Sequence, residues 1–425
     1  MTPKYYPELD ETLYTRIMEN GLTVCLIPKK GFTKKMAYFV TDYGSIHTDF
    51  VLEGKVCRAP AGVAHYLEHK MFDLPGNRDV SAEFAQLGAM TNAFTSYDMT
   101  AYYFSTTENF EDCLRLLLEF VSTPYFTEES VEKEQGIIDQ EIGMNLDAPE
   151  SVIFDKLMEI TYHQHHIRIP ILGTRESIRE ITPEVLHQCH KAFYAPGNML
   201  LCVIGDVEPE TVVTITREVL GTEKQETGIK IRPWEEPVTV AEGETHCRME
   251  VAMPMFDIAF KCEPVGKGDA AIRTEMVADL AAEALFGESS ELYLKLYEAG
   301  VIDTSFGGGF ETIDGCAMLM CSGDSDDPAA VREAVLEQAE KLAKAGIPED
   351  SFLRMKRSAL GRRIRALDSF DATCFRVCAY HFSDFDYFRF PEVYRSITAA
   401  EICGFLNRVV KRERCSMSVI EPMEQ

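Results

Sequence analysis

No run of about eighteen uninterrupted apolar residues occurs in the chain, so no membrane-spanning helix is expected. Positive charge is scarce. The sequence holds 42 Lys and Arg against 69 Asp and Glu, a formal net charge of −27. So acidic a chain repels nucleic-acid phosphates and anionic membranes, which removes both as expected partners, and it attracts cationic ones such as basic peptides. The 13 cysteines are odd in number and include no C-x-x-C pair. That argues against a disulfide framework or a cysteine-ligated zinc site, and for buried, reduced thiols. The first ten residues lack a basic start followed by an apolar run, so no secretory leader is expected and the cytoplasm is the expected compartment.

What the chain does have is apolar material, 46% of its residues, enough to fill large cores. At 425 residues one core is too few, and two domains are expected, 1–225 and 235–425, joined by the polar stretch 221–237 that holds the only tryptophan, Trp234. Asn20-Gly21 between the runs 13–18 and 22–28 signals a β-hairpin, followed by a strand at 36–41 and then a loop as far as Pro60. Helices are expected at 60–72, 80–87, 110–121, 127–146, 151–162, 183–194 and 210–220, with strands at 90–96, 100–106 and 199–204. Beyond the linker, strands are expected at 238–241, 246–252 and 257–261 and on both sides of Gly307-Gly308-Gly309. Helices are expected at 269–286, 290–299, through most of 328–381, and at 399–410 before a last strand at 416–420. Ile181-Thr182-Pro183-Glu184 leads through a helix into Val203-Ile204, and Ile397-Thr398-Ala399-Ala400 leads through a similar helix into Val419-Ile420, an offset of 216. The repeat implies two homologous halves. The expected fold class is α+β, two homologous domains that are each a largely antiparallel sheet covered by helices.

Between Ala64 and Phe72 stands His65-x-x-Glu68-His69. On a helix the two histidines are four apart, one turn above each other, and both can reach one metal ion. This is the inverted form of His-Glu-x-x-His. Two surface histidines on an amphipathic helix would give the same pattern. At the offset of 216 the motif falls on Ala281, Ala284 and Leu285, so the second half lacks it. Catalytic zinc takes three protein ligands and a water. Glu141, in the helix 127–146 among Val131, Ile137, Ile138, Ile142 and Leu146, is the candidate third ligand, and Glu134 lies two turns earlier on the same face. The alternative for both is a solvated helix carboxylate. Zinc would acidify a water and polarise a carbonyl, with Glu68 placed to carry the proton to a leaving amine. That chemistry suits a peptide bond without excluding another amide or an ester.

His65-Tyr66-Leu67-Glu68-His69 with the downstream Glu134-x(6)-Glu141 resembles the insulinase/pitrilysin family of zinc metallopeptidases, across essentially the whole chain. Within it, the short two-domain bacterial type is the most similar, and the stretches 14–72 and around Glu134 look like the elongation factor P modification-associated, processing-peptidase-like subfamily. The resemblance implies clam-like halves, Zn2+ held by His65, His69 and Glu141, Glu68 as catalytic base and Glu134 assisting. It also implies a peptide substrate added as a strand along Asn92, Ala93, Phe94 and Thr95. Trimming the leader of a modified peptide is one such task. Family members that complete their own substrate site carry Leu-Arg and, seven residues after the Arg, a Tyr in the second half. Here the corresponding stretch is Leu296-Tyr297 through Asp303-Thr304, with Tyr297 in the place of Arg. The implied partner is a paralogous subunit supplying Arg and Tyr in a heterodimer. A homodimer, a non-catalytic assembly subunit that kept its zinc site, and a zinc amidase stay open. Arg376 and Tyr380 are a weak substitute pair. His163, His165 and His166 read as solvated or structural, and the basic stretch 355–365 as a solvated face or a subunit contact.

Overall fold

Each half of the chain builds one large sheet, and the two large sheets share a plan, while the first half adds a small three-stranded sheet and a two-stranded one. The computed structural model describes every residue except Asn77, 226–228, 232–233 and 424–425, so the linker expected at 221–237 lies partly outside the described residues. The first sheet has the order Thr2–Tyr6, Glu11–Ile17, Thr23–Pro28, Met199–Gly205, Lys35–Thr41, Thr100–Thr106, Met90–Thr95. The second has Glu244–Met249, Cys415–Pro422, Met255–Lys261, Cys316–Asp324, Gly307–Ile313. In both, the last strand of the half inserts between two earlier ones, parallel to one and antiparallel to the other. All other pairs within these sheets are antiparallel. This is the α+β duplication that the repeat implies.

Local chemistry explains most elements. Gly21 takes φ 96 in the hairpin turn, a conformation open to glycine. Three expectations are corrected. The loop expected between 43 and 60 contains a hairpin, Asp49–Leu52 with Lys55–Arg58, turned by Glu53 and Gly54 at φ 51 and 79. Residues 238–241 form no strand. Gly307-Gly308-Gly309 does not separate two strands but begins the edge strand Gly307–Ile313. A Cβ on Gly308 would lie 2.3 Å from the Phe286 ring, so the strand can approach that helix only as glycine.

The halves are tied by exchanged helices. Pro149–Thr161, in the first half, packs on the second sheet, while Phe370–Phe382, in the second half, packs on Lys35–Thr41 and Met199–Gly205 of the first sheet. The two occupy equivalent places, each following the long helix of its half, Glu128–Leu146 or Glu349–Ala366. Around the second of them, Tyr38 hydrogen-bonds Asp371, and the Cys202 and Cys374 sulfurs lie 3.9 Å apart in a dry core. Around the first, Lys261 is buried against Glu236 at 2.5 Å and donates to the Thr161 carbonyl at 3.0 Å. Glu236 also accepts the backbone N–H groups of His163, Gln164 and His165. His165 is buried, with its ring between the Ile167 N–H and the Asp314 carbonyl and 4.2 Å from the Trp234 ring, so its role is structural rather than solvated.

Candidate metal and peptidase site

The motif helix is short, Val63–Lys70, and its position is fixed by backbone contacts. Gly62, its N-cap, has φ 88, and a Cβ there would sit 2.3 Å from the Leu172 carbonyl oxygen. Ser177 donates to the Ala61 carbonyl at 2.8 Å from the same side. The motif helix is also tied to a partner helix beside it, the one that carries Glu134 and Glu141. The Tyr66 hydroxyl donates to the Val131 carbonyl, and Lys70 donates to the Ser130 carbonyl at 3.2 Å. The partner helix, Glu128–Leu146, is fixed at its start by a capping box between Thr127 and Ser130. With residues 130 and 131 anchored, one further turn brings Glu134 to His69 and two more bring Glu141 between the histidines.

The ligand atoms of His65, His69 and Glu141 lie within 4.8 Å of one another, the one such group of three or more among the described residues. Nε2 of each histidine is 3.6 Å from a Glu141 carboxylate oxygen. That is too long for a hydrogen bond, whose usual range ends at about 3.2 Å. It fits donors sharing one ion, because two atoms ~2.1 Å from a tetrahedral centre stand roughly 3.4 Å apart. His69 Nδ1 meets Glu134 at 3.0 Å, which leaves Nε2 free to ligate. His65 Nδ1 is buried and has no such partner. The donor set therefore fits a zinc ion.

Burial, above all, raises the Glu68 carboxyl, against the Thr95 hydroxyl that donates to it at 2.6 Å and the nearby histidines. Burial also works to raise Glu134, but the hydrogen bond and charge of His69 outweigh it and hold that carboxyl low. For His69, burial pulls downward and the Glu134 hydrogen bond with three surrounding carboxylates prevails, raising it. The His65 ring beside Glu141 keeps that carboxyl below its ordinary range.

Thr95 ends the strand Met90–Thr95, which pairs on one side with Thr100–Thr106 and is the last strand of its sheet. Its other edge is open for an added strand beside Glu68. Phe94 packs 5.8 Å from Phe375, and the Asn92 side chain accepts the Ala93 N–H. Ile137 and Leu146, expected in the apolar stripe of the glutamate helix, are 46% and 58% exposed, while Val131, Ile138 and Ile142 are buried. Tyr297, expected where the family arginine stands, is 48% exposed and stacks on Tyr293. Tyr380 is buried and committed to Glu275 and Arg363. Arg363, in the basic stretch expected to be a solvated face or a subunit contact, is instead buried on Asp279 and Glu275.

Residues 58–175 match the family described as Insulinase (Peptidase family M16), and residues 180–359 match its companion, the Peptidase M16 inactive domain. The uncharacterized zinc protease YmfH of Bacillus subtilis is 37% identical over 99% of this chain and 99% of its own length. The chain belongs to the insulinase family, peptidase family M16. Among solved family structures, an M16-like peptidase from Alicyclobacillus acidocaldarius is 31% identical and superposes with a TM-score of 0.93, over 97% of this chain and 99% of that one. A protease from Helicobacter pylori shares the fold at 18% identity, with a TM-score of 0.84 over 99% and 100% of the two chains. The second half, named inactive in the M16 family, has Ala281, Ala284 and Leu285 in a helix that packs on Glu349–Ala366 much as the motif helix packs on Glu128–Leu146. There the Arg362–Glu283 ion pair, at 2.7 Å, joins the two helices.

Proposed function

We propose that this M16 protein is a zinc endopeptidase of short or unfolded peptides. The observation that carries the reading is the spacing of His65, His69 and Glu141 donors around one point, with Glu68 beside them and hydrogen-bonded to an open-edged strand. The zinc-protease names of its relatives agree with it. His65, His69 and Glu141 would hold the ion, which supplies Lewis acidity toward a carbonyl and a water. Glu68 takes the water proton on its carboxylate and passes it to the leaving nitrogen. Thr95 orients Glu68, and Glu134 fixes the His69 tautomer. The strand Met90–Thr95 receives the substrate backbone, so the main chain rather than a side chain provides the first grip. Purified protein should carry about one zinc per chain. Glu68→Gln should keep that zinc and lose peptide cleavage, and turnover retained in this variant would remove the role given to Glu68.

The substrate site is completed by a second subunit of related fold. By the family resemblance Tyr297 is read in the place of the arginine, and Tyr380 hydrogen-bonds Glu275 and Arg363. Ile137 and Met144, one turn to either side of Glu141, are 46% and 71% exposed, which leaves an apolar rim for that subunit to cover. The test is peptide cleavage by the chain alone against the chain mixed with an M16 relative that has Arg and Tyr but no His-x-x-Glu-His. Full turnover by the chain alone as a monomer would overturn the two-subunit reading.

A further inference from the structure

Asp257 lies in the middle of the second sheet, 9% exposed, with no hydrogen-bond or ion-pair partner among the described residues. It opens into a cavity of about 560 Å3 between the two halves. The sheet forms the floor. Gly307 and Gly309 stand on the same face as Asp257 through the register Asp257↔Ser322↔Gly307 and Ala259↔Met320↔Gly309. Neither glycine has an atom within 4 Å of where a Cβ would be, so their missing side chains make the room. The walls are largely apolar, with Met318 and Met320 from the sheet, Phe154 from the exchanged helix and Tyr97 from the first half, the last two with ring centroids 6.4 Å apart, while Glu311 and Ser322 add a second carboxyl and a hydroxyl to the lining. Directly across the ladder from Asp257, the Ser418 hydroxyl is also buried without a partner. Buried polar groups are normally satisfied, and a buried carboxylate without a partner is costly unless a cation reaches it.

Tyr97 stands in the turn Ser96–Met99, two residues beyond Thr95, which touches Glu68. A peptide lying on Met90–Thr95 and running past its end would reach the Tyr97 side of this cavity a few residues from the bond being cleaved. We propose that the cavity is a specificity subsite for a lysine or arginine side chain of the substrate, with Asp257 as its counter-ion and the Tyr97 and Phe154 rings against the aliphatic stem and cationic head. The chemistry suits both parts of such a side chain: apolar surface for the methylenes, the Asp257 carboxyl and aromatic faces for the head. The strongly acidic chain draws cationic peptides toward it. The proposal rests on the peptidase reading, and its test separates the two.

Binding is read by fluorescence anisotropy in the Glu68→Gln background, so cleavage is not needed. The peptides are N-acetylated, making side chains their only cations, and a single lysine is moved along a neutral sequence. One position, two to five residues from the scissile bond, should bind about tenfold more tightly with Lys than with Gln. Asp257→Asn should abolish that gain while leaving the neutral peptide unchanged. Gly309→Val, which fills the cavity and leaves Asp257 in place, should do the same. A lysine preference that survives both substitutions overturns the subsite. If no peptide binds, the peptidase reading is at fault, and calorimetry with Nα-acetyl-lysine-N-methylamide then reads the cavity alone. Heat that depends on Asp257 supports it, and none overturns it.

Discussion

Glu68 and Glu134 both touch the metal-ligand group, yet they sit in opposite environments. Burial lifts Glu68, which suits a group that must accept and release a proton. His69 holds Glu134 as an anion, which suits a group that only fixes a ring. The two substitutions should therefore separate. Glu134→Gln should weaken zinc binding by about 10- to 100-fold in a competition titration and recover activity at saturating zinc, whereas Glu68→Gln should bind zinc normally and stay inactive. Asp257 gives a pH prediction. Burial raises it from 3.8 to about 7. A carboxyl raised in the folded state favours folding while protonated, so its contribution is complete below the unfolded value of about 3.9 and is lost as pH rises through about 7. Asp257→Asn should thus match wild type near pH 3, differ from it by about 1 kcal/mol at pH 4.5, and be more stable than wild type at pH 8 by up to ~4 kcal/mol at about 1.4 kcal/mol per unit. Urea denaturation of the two proteins across that range checks it, and equal stability at pH 8 would show that Asp257 is already paired in solution.

The motif helix has only a few turns and begins on a glycine, so little of its stability is its own. It is held by Gly62 packed on the 172–173 backbone and by Tyr66 and Lys70 reaching the glutamate helix. Gly62→Ala would place a Cβ where the Leu172 oxygen already is, in a left-handed conformation that costs a non-glycine residue about 1–2 kcal/mol by itself. It should destabilise by roughly 3 kcal/mol or more in urea and blunt zinc affinity, because the helix must shift. Gly54→Ala, at φ 79 with nothing within 4 Å, is the control and should cost only the backbone penalty. These elements were unequally legible in the sequence. His65, Glu68, His69, Glu134 and Glu141 could be read because one helical period relates the members of each set. The hairpin Asp49–Leu52 with Lys55–Arg58 was missed because its turn places Glu53 at positive φ, where Asn or Asp would have signalled it. The exposure of Ile137 was missed because a helical stripe shows which residues share a face, not which face finds a partner. Asp257 stood out in no pattern at all, since a lone acid in a strand declares itself only when its neighbours are known.

At the scale of the molecule, the repeat in the sequence reveals two equivalent halves and conceals that they trade a helix. Periodicity cannot show this, because Pro149–Thr161 and Phe370–Phe382 carry the same signals whichever sheet they cover. The exchange has a thermodynamic consequence. Without Phe370–Phe382, the face of the first sheet that holds Cys25, Tyr38 and Cys202 loses its cover. Without residues 149–242, which hold Pro149–Thr161 and Glu236, the second sheet exposes Ala259 and Met318 and leaves Lys261 without Glu236 and the Thr161 carbonyl. Breaking a buried pair by removing one partner typically costs about 3–5 kcal/mol, a large part of the 5–15 kcal/mol that holds a domain folded. The halves should therefore not fold independently, even though each has a complete sheet. Cut after Glu242, the fragments 1–242 and 243–425 should each be insoluble or bind ANS strongly when expressed alone. Co-expressed, they should form a soluble complex with the zinc content of the intact chain. The intact protein should in turn unfold in urea in one transition, monitored together by far-UV circular dichroism and by Trp234, which lies where first-half His165 meets the linker. A monomeric 1–242 fragment with a cooperative transition of its own would mean that the exchanged helices decorate the fold rather than complete it. The spacing between the zinc ligands and the Asp257 cavity would then be free to vary. Coupled unfolding means instead that the two sheets, and with them the ligand triad and the cavity, are held at one fixed separation.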